Sequence, residues 1–133
     1  MPIIDITLRR GRTSAQLRSI ADAVHDALVT EFGVPPEDRF QVIHQCQPDE
    51  LIYDPTYLGG PRTDAFVMIR VLAGAARSVE VKRAFFAAVV ANLSLRCGVD
   101  PEDVFIVVDH VDRSDFSVAG GRPFDPPHLR NAN

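Results

Sequence analysis

Cysteine is scarce in this chain. There are two, Cys46 and Cys97, far apart and without metal-ligand spacing. That pattern argues against a disulfide framework or a cysteine-based zinc site and reads as two reduced thiols in a cytoplasmic protein. Basic runs are also missing and the formal net charge is −4, so nucleic acid is not an expected partner. The longest apolar run, Ala84 to Ala91, is too short to span a bilayer, and Asp5 and Thr7 interrupt the N-terminal apolar run. Neither a membrane span nor a signal peptide is therefore expected. The histidines (His25, His44, His110 and His128) lack metal-ligand spacing, and there is no glycine-rich dinucleotide motif, phosphate loop or Ser-His-Asp pattern. No metal site is expected on that spacing. Among the histidines only His44, on a strand before a long loop, is a residue to watch.

What remains is ordinary in bulk: 133 residues, 46% hydrophobic and 24% charged, enough for one domain (1–133) with a real core. The organisation is a duplication. Gly33-Val34-Pro35-Pro36-Glu37-Asp38-Arg39-Phe40 matches Gly98-Val99-Asp100-Pro101-Glu102-Asp103-Val104-Phe105, an offset of 65 residues (33 to 98). The same offset pairs Arg12-Thr13 with Arg77-Ser78 and lays Pro2–Leu8 on Val67–Ala73. Two copies, about 2–47 and 64–112, do not make a solenoid; each reads as a β-α-β unit.

In the first copy Thr13 and Gln16 form a capping box, and Leu17, Ile20, Ala21, Val24, Leu28 and Phe32 recur at helical spacing. Gly33 and Pro35-Pro36 end that helix. Residues 39–45 then read as a weakly alternating strand. In the second copy Ser78 is the N-cap, Phe86, Val89, Val90, Leu93 and Cys97 form the expected apolar stripe, and 104–109 is the last strand. Crossover handedness makes the strands of each unit parallel, giving a four-stranded α+β sheet with both helices on one face. Val104 to Val108 is apolar at consecutive positions and wants both faces covered, which the two helices cannot do. A second subunit is expected on the open face. The long connection Gln47–Thr63 is of a kind that is often functional. The tail, 119–133, is expected to wrap a neighbour or fray.

Pro2 follows the initiator methionine directly. Removal of Met1 would expose a secondary amine, able to act as base, acid or iminium-forming nucleophile near neutral pH. A strand-opening proline also has a plain structural reading, because its missing N–H costs nothing there. Its counterpart in the second copy is Val67, so the strand itself does not require a proline.

A duplicated β-α-β chain with Pro2 at its start resembles the tautomerase superfamily. Phe32-Gly33-Val34-Pro35, Asp38-Arg39-Phe40-Gln41, Tyr57-Leu58-Gly59, Arg77-Ser78 and Asp115-Phe116-Ser117 resemble malonate semialdehyde decarboxylase and its relatives over residues 2–120. The resemblance implies a homotrimer with a barrel-like core and a small carboxylate substrate. It implies cofactor-independent decarboxylation of a short 3-oxo acid, with keto–enol tautomerisation or hydration as the alternative chemistry and a binding or signalling protein without catalysis as a third. It also implies site roles: Pro2 as the catalytic amine, Arg77 as the carboxylate clamp, Asp38 as the group that orients water, carbonyl or amine, and Phe116 as a wall. Asp38 also has a structural reading as a turn aspartate, since Asp103 repeats its context, and Arg77 has one as an arginine before an N-cap, since Arg12 does the same. Three positions depart from the family pattern: Phe116 replaces a tryptophan, Val118 replaces an aromatic, and Ala75 stands where a first arginine would be. Arg39 or Arg70 are candidates to supply the missing charge.

Overall fold

In the computed structural model, which describes residues 1–127, the elements run β1 (Pro2–Arg9), α1 (Ser14–Phe32), β2 (Gln41–Cys46), β3 (Val67–Ala73), α2 (Val79–Cys97) and β4 (Val104–His110). The offset of 65 carries β1 to β3 at its start and α1 to α2 at both ends. Local chemistry explains the precision. Thr13 and Ser78 each accept a backbone N–H of the first helical turn, and the Thr13–Gln16 capping box is closed in both directions. Such a cap contributes about 1 kcal/mol. Gly33 and Gly98 close the helices in the left-handed region, with φ of 68° and 65°, where a side chain would be strained.

The sheet order is β2-β1-β3-β4. Each unit is parallel within itself, β1 with β2 and β3 with β4, and the two units meet antiparallel through β1 and β3. Pro2 therefore pairs with Ala73, so the start of β1 lies beside the end of β3. Alternation on the central strands turns Ile4, Ile6, Leu8, Val67, Ile69 and Val71 to one core with both helices. The helices bind each other through Asn92 Nδ2 to the Ala23 carbonyl (3.0 Å) and an Arg96–Asp26 ion pair.

The apolar stripe of α2 differs from the sequence reading. Phe85, not Phe86, is the fully buried aromatic, packed 4.5 Å centroid to centroid against Phe32; Phe86 is only partly buried. From Ala84 to Ala91 every residue is apolar, so periodicity does not fix the helix's phase. The second face of β4 is open as expected: Phe105 and Val107 remain 47% and 43% exposed, and Val42 on β2 is 50% exposed. No helix among the described residues is long and apolar enough to cross a membrane. The tail turns back on its own chain as far as it is described, with Phe124 N–H donating to the Phe116 carbonyl and the two rings 6.1 Å apart. Its remainder, 128–133, lies outside the described residues.

Candidate active site

Parallel pairing of β1 with β2 brings the residues before β2 alongside the start of β1. Ile4 N–H donates to the Phe40 carbonyl (3.0 Å), so Asp38 and Arg39 run beside Pro2 and Ile3. Asp38 meets the chain terminus: the Met1 ammonium lies 3.4 Å from Asp38 Oδ2, with the Met1 side chain 5% exposed. Asp38 Oδ1 is buried and has no hydrogen-bond partner among the described residues. A buried carboxylate oxygen without a donor is costly in a fold and is common where a site must receive something. Pro2 itself is buried.

Antiparallel pairing of β1 with β3 supplies the other wall. Gly74 N–H donates to the Met1 carbonyl (2.9 Å). A Cβ on Gly74 would lie 3.3 Å from both the Met1 carbonyl oxygen and the Phe116 ring, so a larger residue there would crowd both. Three residues on, Arg77 stands before the N-cap of α2. Its guanidinium lies 4.9 Å from the centroid of the Phe32 ring and donates to the Ala75 carbonyl at 2.7 Å. No carboxylate pairs with it among the described residues, and burial pulls its pKa below the usual arginine value with nothing to offset it. Arginine stays charged at neutral pH even so. Met1, Pro2, Asp38, Phe116 and the Arg77 segment thus share one end of the sheet: an ammonium, a carboxylate with one unmet oxygen, a cation on an aromatic face and an apolar wall.

Three other features named from the sequence lie elsewhere in the structure. His44 Nε2 bonds Asp5 Oδ1 at 2.7 Å on the open sheet face, away from this end. Arg39 bonds Asp22 (2.7 Å) and Gln41 (2.8 Å), and Arg70, on the open face, faces Asp109 at 4.0 Å. The 47–63 connection lies at the opposite end, knit to its surroundings: Tyr53 stacks on Phe66 and Asp103 holds Thr63 through its N–H and hydroxyl, both at 2.6 Å. Sequence reasoning missed Phe32 and Gly74 as site residues. The offset of 65 places Phe32 opposite Cys97, but only the fold shows that a helix end supports the arginine of the other copy.

Comparison with known proteins follows this geometry. Two models described as "Tautomerase enzyme" match the chain, one over residues 38–119 and one over 2–60. The chain belongs to the tautomerase family. It is 35% identical over 122 residues to the probable tautomerase YusQ of Bacillus subtilis (strain 168), covering 92% of this chain and 96% of that one. Among solved structures, a malonate semialdehyde decarboxylase studied for its decarboxylase and hydratase activities superposes with a TM-score of 0.87 at 36% identity, covering 91% of this tautomerase-family chain and 93% of the other. The FG41 malonate semialdehyde decarboxylase inhibited by 3-bromopropiolate gives 0.85 at 38% identity, over 91% and 92%. The four-stranded mixed sheet with two helices is the fold of these relatives. Among the described residues no cluster of His, Cys, Asp or Glu could hold a metal.

Proposed function

We propose that Met1 is removed in the working protein and that the Pro2 amine decarboxylates a short 3-oxo acid of the malonate semialdehyde type. The observation that carries this reading is Asp38: one oxygen faces the terminal ammonium and the other, buried, has no partner. Removing Met1 takes a buried side chain out from beneath Phe116 and Gly74 and leaves Pro2, at the buried start of β1, as the terminal amine. A carboxylate beside an amine favours the protonated form. A cationic amine suits decarboxylation, because negative charge grows on the substrate carbonyl as carbon dioxide leaves.

Arg77 holds the substrate carboxylate, and Phe116 excludes water from the reacting face. The bond from the 2-carbon to the carboxylate breaks, and its electron pair moves through the 2-carbon to the 3-carbonyl. The Pro2 ammonium stabilises that oxygen by hydrogen bond, or the amine has already converted the carbonyl to an iminium. On the hydrogen-bonded route protonation at carbon gives the aldehyde directly; on the iminium route it gives a second iminium, and the water released when the first one formed is taken up again to free the aldehyde and the Pro2 amine. Malonate semialdehyde yields acetaldehyde and carbon dioxide either way. Asp38 orients the carbonyl, a water or the amine. The open face of β4 is the surface on which a homotrimer would close.

The name of the Bacillus subtilis relative, a probable tautomerase, favours a second reading, keto–enol tautomerisation of a small 2-oxo acid, and the hydratase activity of the similar decarboxylase favours hydration of an unsaturated acid. Tautomerisation needs Pro2 neutral, as a base. A panel of malonate semialdehyde, phenylpyruvate and an acetylenic 2-oxo acid separates the readings, with wild type beside Pro2→Ala and Arg77→Ala. Decarboxylation of the first, lost in both variants, supports the proposal. Turnover of phenylpyruvate alone transfers the assignment to a tautomerase, and a native mass that retains Met1 removes both.

A further inference from the structure

β3 ends at Ala73, and Gly74, Ala75 and Ala76 carry the chain into α2. These three small residues form one wall of a cavity of about 600 Å³, whose other wall is His110, Val111, Asp112 and Arg113, leaving β4. The walls are tied by Val111 N–H to the Ala73 carbonyl at 2.9 Å. Ala75 belongs to the cavity and to the site at once, since its carbonyl accepts the Arg77 guanidinium. Gly74 likewise backs Met1 and Phe116 on its other side. The cavity therefore borders the residue whose carbonyl holds the cation assigned to the reacting carboxylate.

Its far wall is polar and carries a cation. The exposed Arg113 guanidinium has no hydrogen-bond partner among the described residues, and the exposed His110 ring stands on the same wall. The carboxylate that faces them, Asp112, accepts the Ser114 N–H at 2.8 Å, and Asp115 accepts the Asp112 N–H at 2.9 Å. Asp109 is turned toward Arg70. An arginine side chain at position 75 would intrude on this space; alanine leaves it open, with Arg113 across the cavity.

We propose that this cavity is a second subsite, and that the substrates are 3-oxo diacids whose distal carboxylate binds Arg113 with His110, while Arg77 holds the carboxylate that leaves. The inference rests on the decarboxylase reading of the Pro2 site. The reaction is balanced as before: one carbon–carbon bond breaks to release carbon dioxide, its electron pair passes to the 3-carbonyl, and one proton returns to carbon. The distal carboxylate is unchanged.

3-Oxoglutarate and acetoacetate differ only by that distal carboxylate and make the direct test. Carbon dioxide release is measured above the uncatalysed rate for the wild type, Arg113→Ala, Arg113→Lys and Ala75→Arg. Wild type should favour the diacid in kcat/KM by at least about tenfold, the scale of one charge-assisted contact. Arg113→Ala should shrink that preference about tenfold, Arg113→Lys should restore part of it, and Ala75→Arg should reverse it by closing the cavity. Binding of glutarate and butyrate by calorimetry repeats the comparison without chemistry: glutarate should bind about tenfold more tightly, and only while Arg113 is present. Turnover of malonate semialdehyde with no preference for 3-oxoglutarate over acetoacetate overturns the subsite and leaves the Pro2 reaction standing. Arg113-dependent glutarate binding without any decarboxylation supports the subsite and overturns the reaction. Equal binding of glutarate and butyrate overturns the subsite whatever the reaction proves to be.

Discussion

The two ends of the sheet are built from the same pieces and finished differently. At the end away from Pro2, Asp103 is buried and saturated by Thr63, and Arg12 donates to the Ala65 carbonyl at 2.7 Å. Burial lowers the Arg12 pKa, and the charges of Asp103 and Cys97 pull it back. Phe66, at the position that corresponds to Met1, is buried under Tyr53. At the Pro2 end the matching residues are Asp38, with one oxygen unmet, and Arg77, with no carboxylate among the described residues. The aspartate and arginine at the far end are held by partners within the fold. Under the proposed function those at the Pro2 end are left for a ligand, which would separate structural from functional use of one motif within a single molecule.

The comparison breaks most sharply at Pro2. Pro2→Ala keeps a primary amine but not the secondary one, and kcat for the 3-oxo acid should fall by about a thousandfold, the scale of losing a positioned acid or nucleophile. Its thermal midpoint should stay near wild type. Arg77→Ala should lower kcat/KM about a hundredfold with stability nearly intact, while Arg12→Ala should leave kinetics alone and cost about 1 kcal/mol in urea unfolding. Asp103→Ala should cost about 3 kcal/mol, because it strands the Thr63 donors in a buried site; Asp38→Asn should change stability by less than about 1 kcal/mol while activity falls. If both aspartates prove equally structural, the contrast between the ends is wrong.

The smallest effect concerns a pair present in one copy only. Arg39 and, less strongly, Arg18 hold the Asp22 carboxyl below its ordinary pKa, whereas the matching positions in the second copy are Ala87 and Val104. A lowered folded pKa gives stability that is present above the unfolded value and lost as pH falls through the folded one. Because the pair is largely exposed, the loss should be about 0.5 kcal/mol. Thermal midpoints of wild type and Asp22→Asn should differ slightly at pH 6 and converge as pH falls through the lowered Asp22 pKa.

Much of the fold was legible because its signals are local. Capping residues, glycine stops and the offset of 65 fixed both helices and the order of strands, and the apolar run in β4 announced an open face. The phase of α2 was not legible, since the unbroken apolar run from Ala84 to Ala91 carries no periodic signal, and Phe85 was missed for that reason. At the site, Pro2 stood out by its covalent chemistry. Asp38 and Arg77 rested on resemblance, because each has a structural twin in the sequence. Their difference appears only when the partners of Asp103 and the unmet oxygen of Asp38 are seen in three dimensions. The cavity beside Ala75 needed the fold too, since its walls come from segments 34 or more residues apart. One of those segments, 110–113, carries no motif.

The central claim is that Pro2 works as a cation beside Asp38. Titration of the Pro2 amine in the Met1-processed protein, followed by nitrogen-15 NMR, measures it directly. The account predicts that the amine is largely protonated at pH 7 and loses its proton more readily in Asp38→Asn. An amine largely neutral at pH 7, unmoved by that substitution, would contradict it.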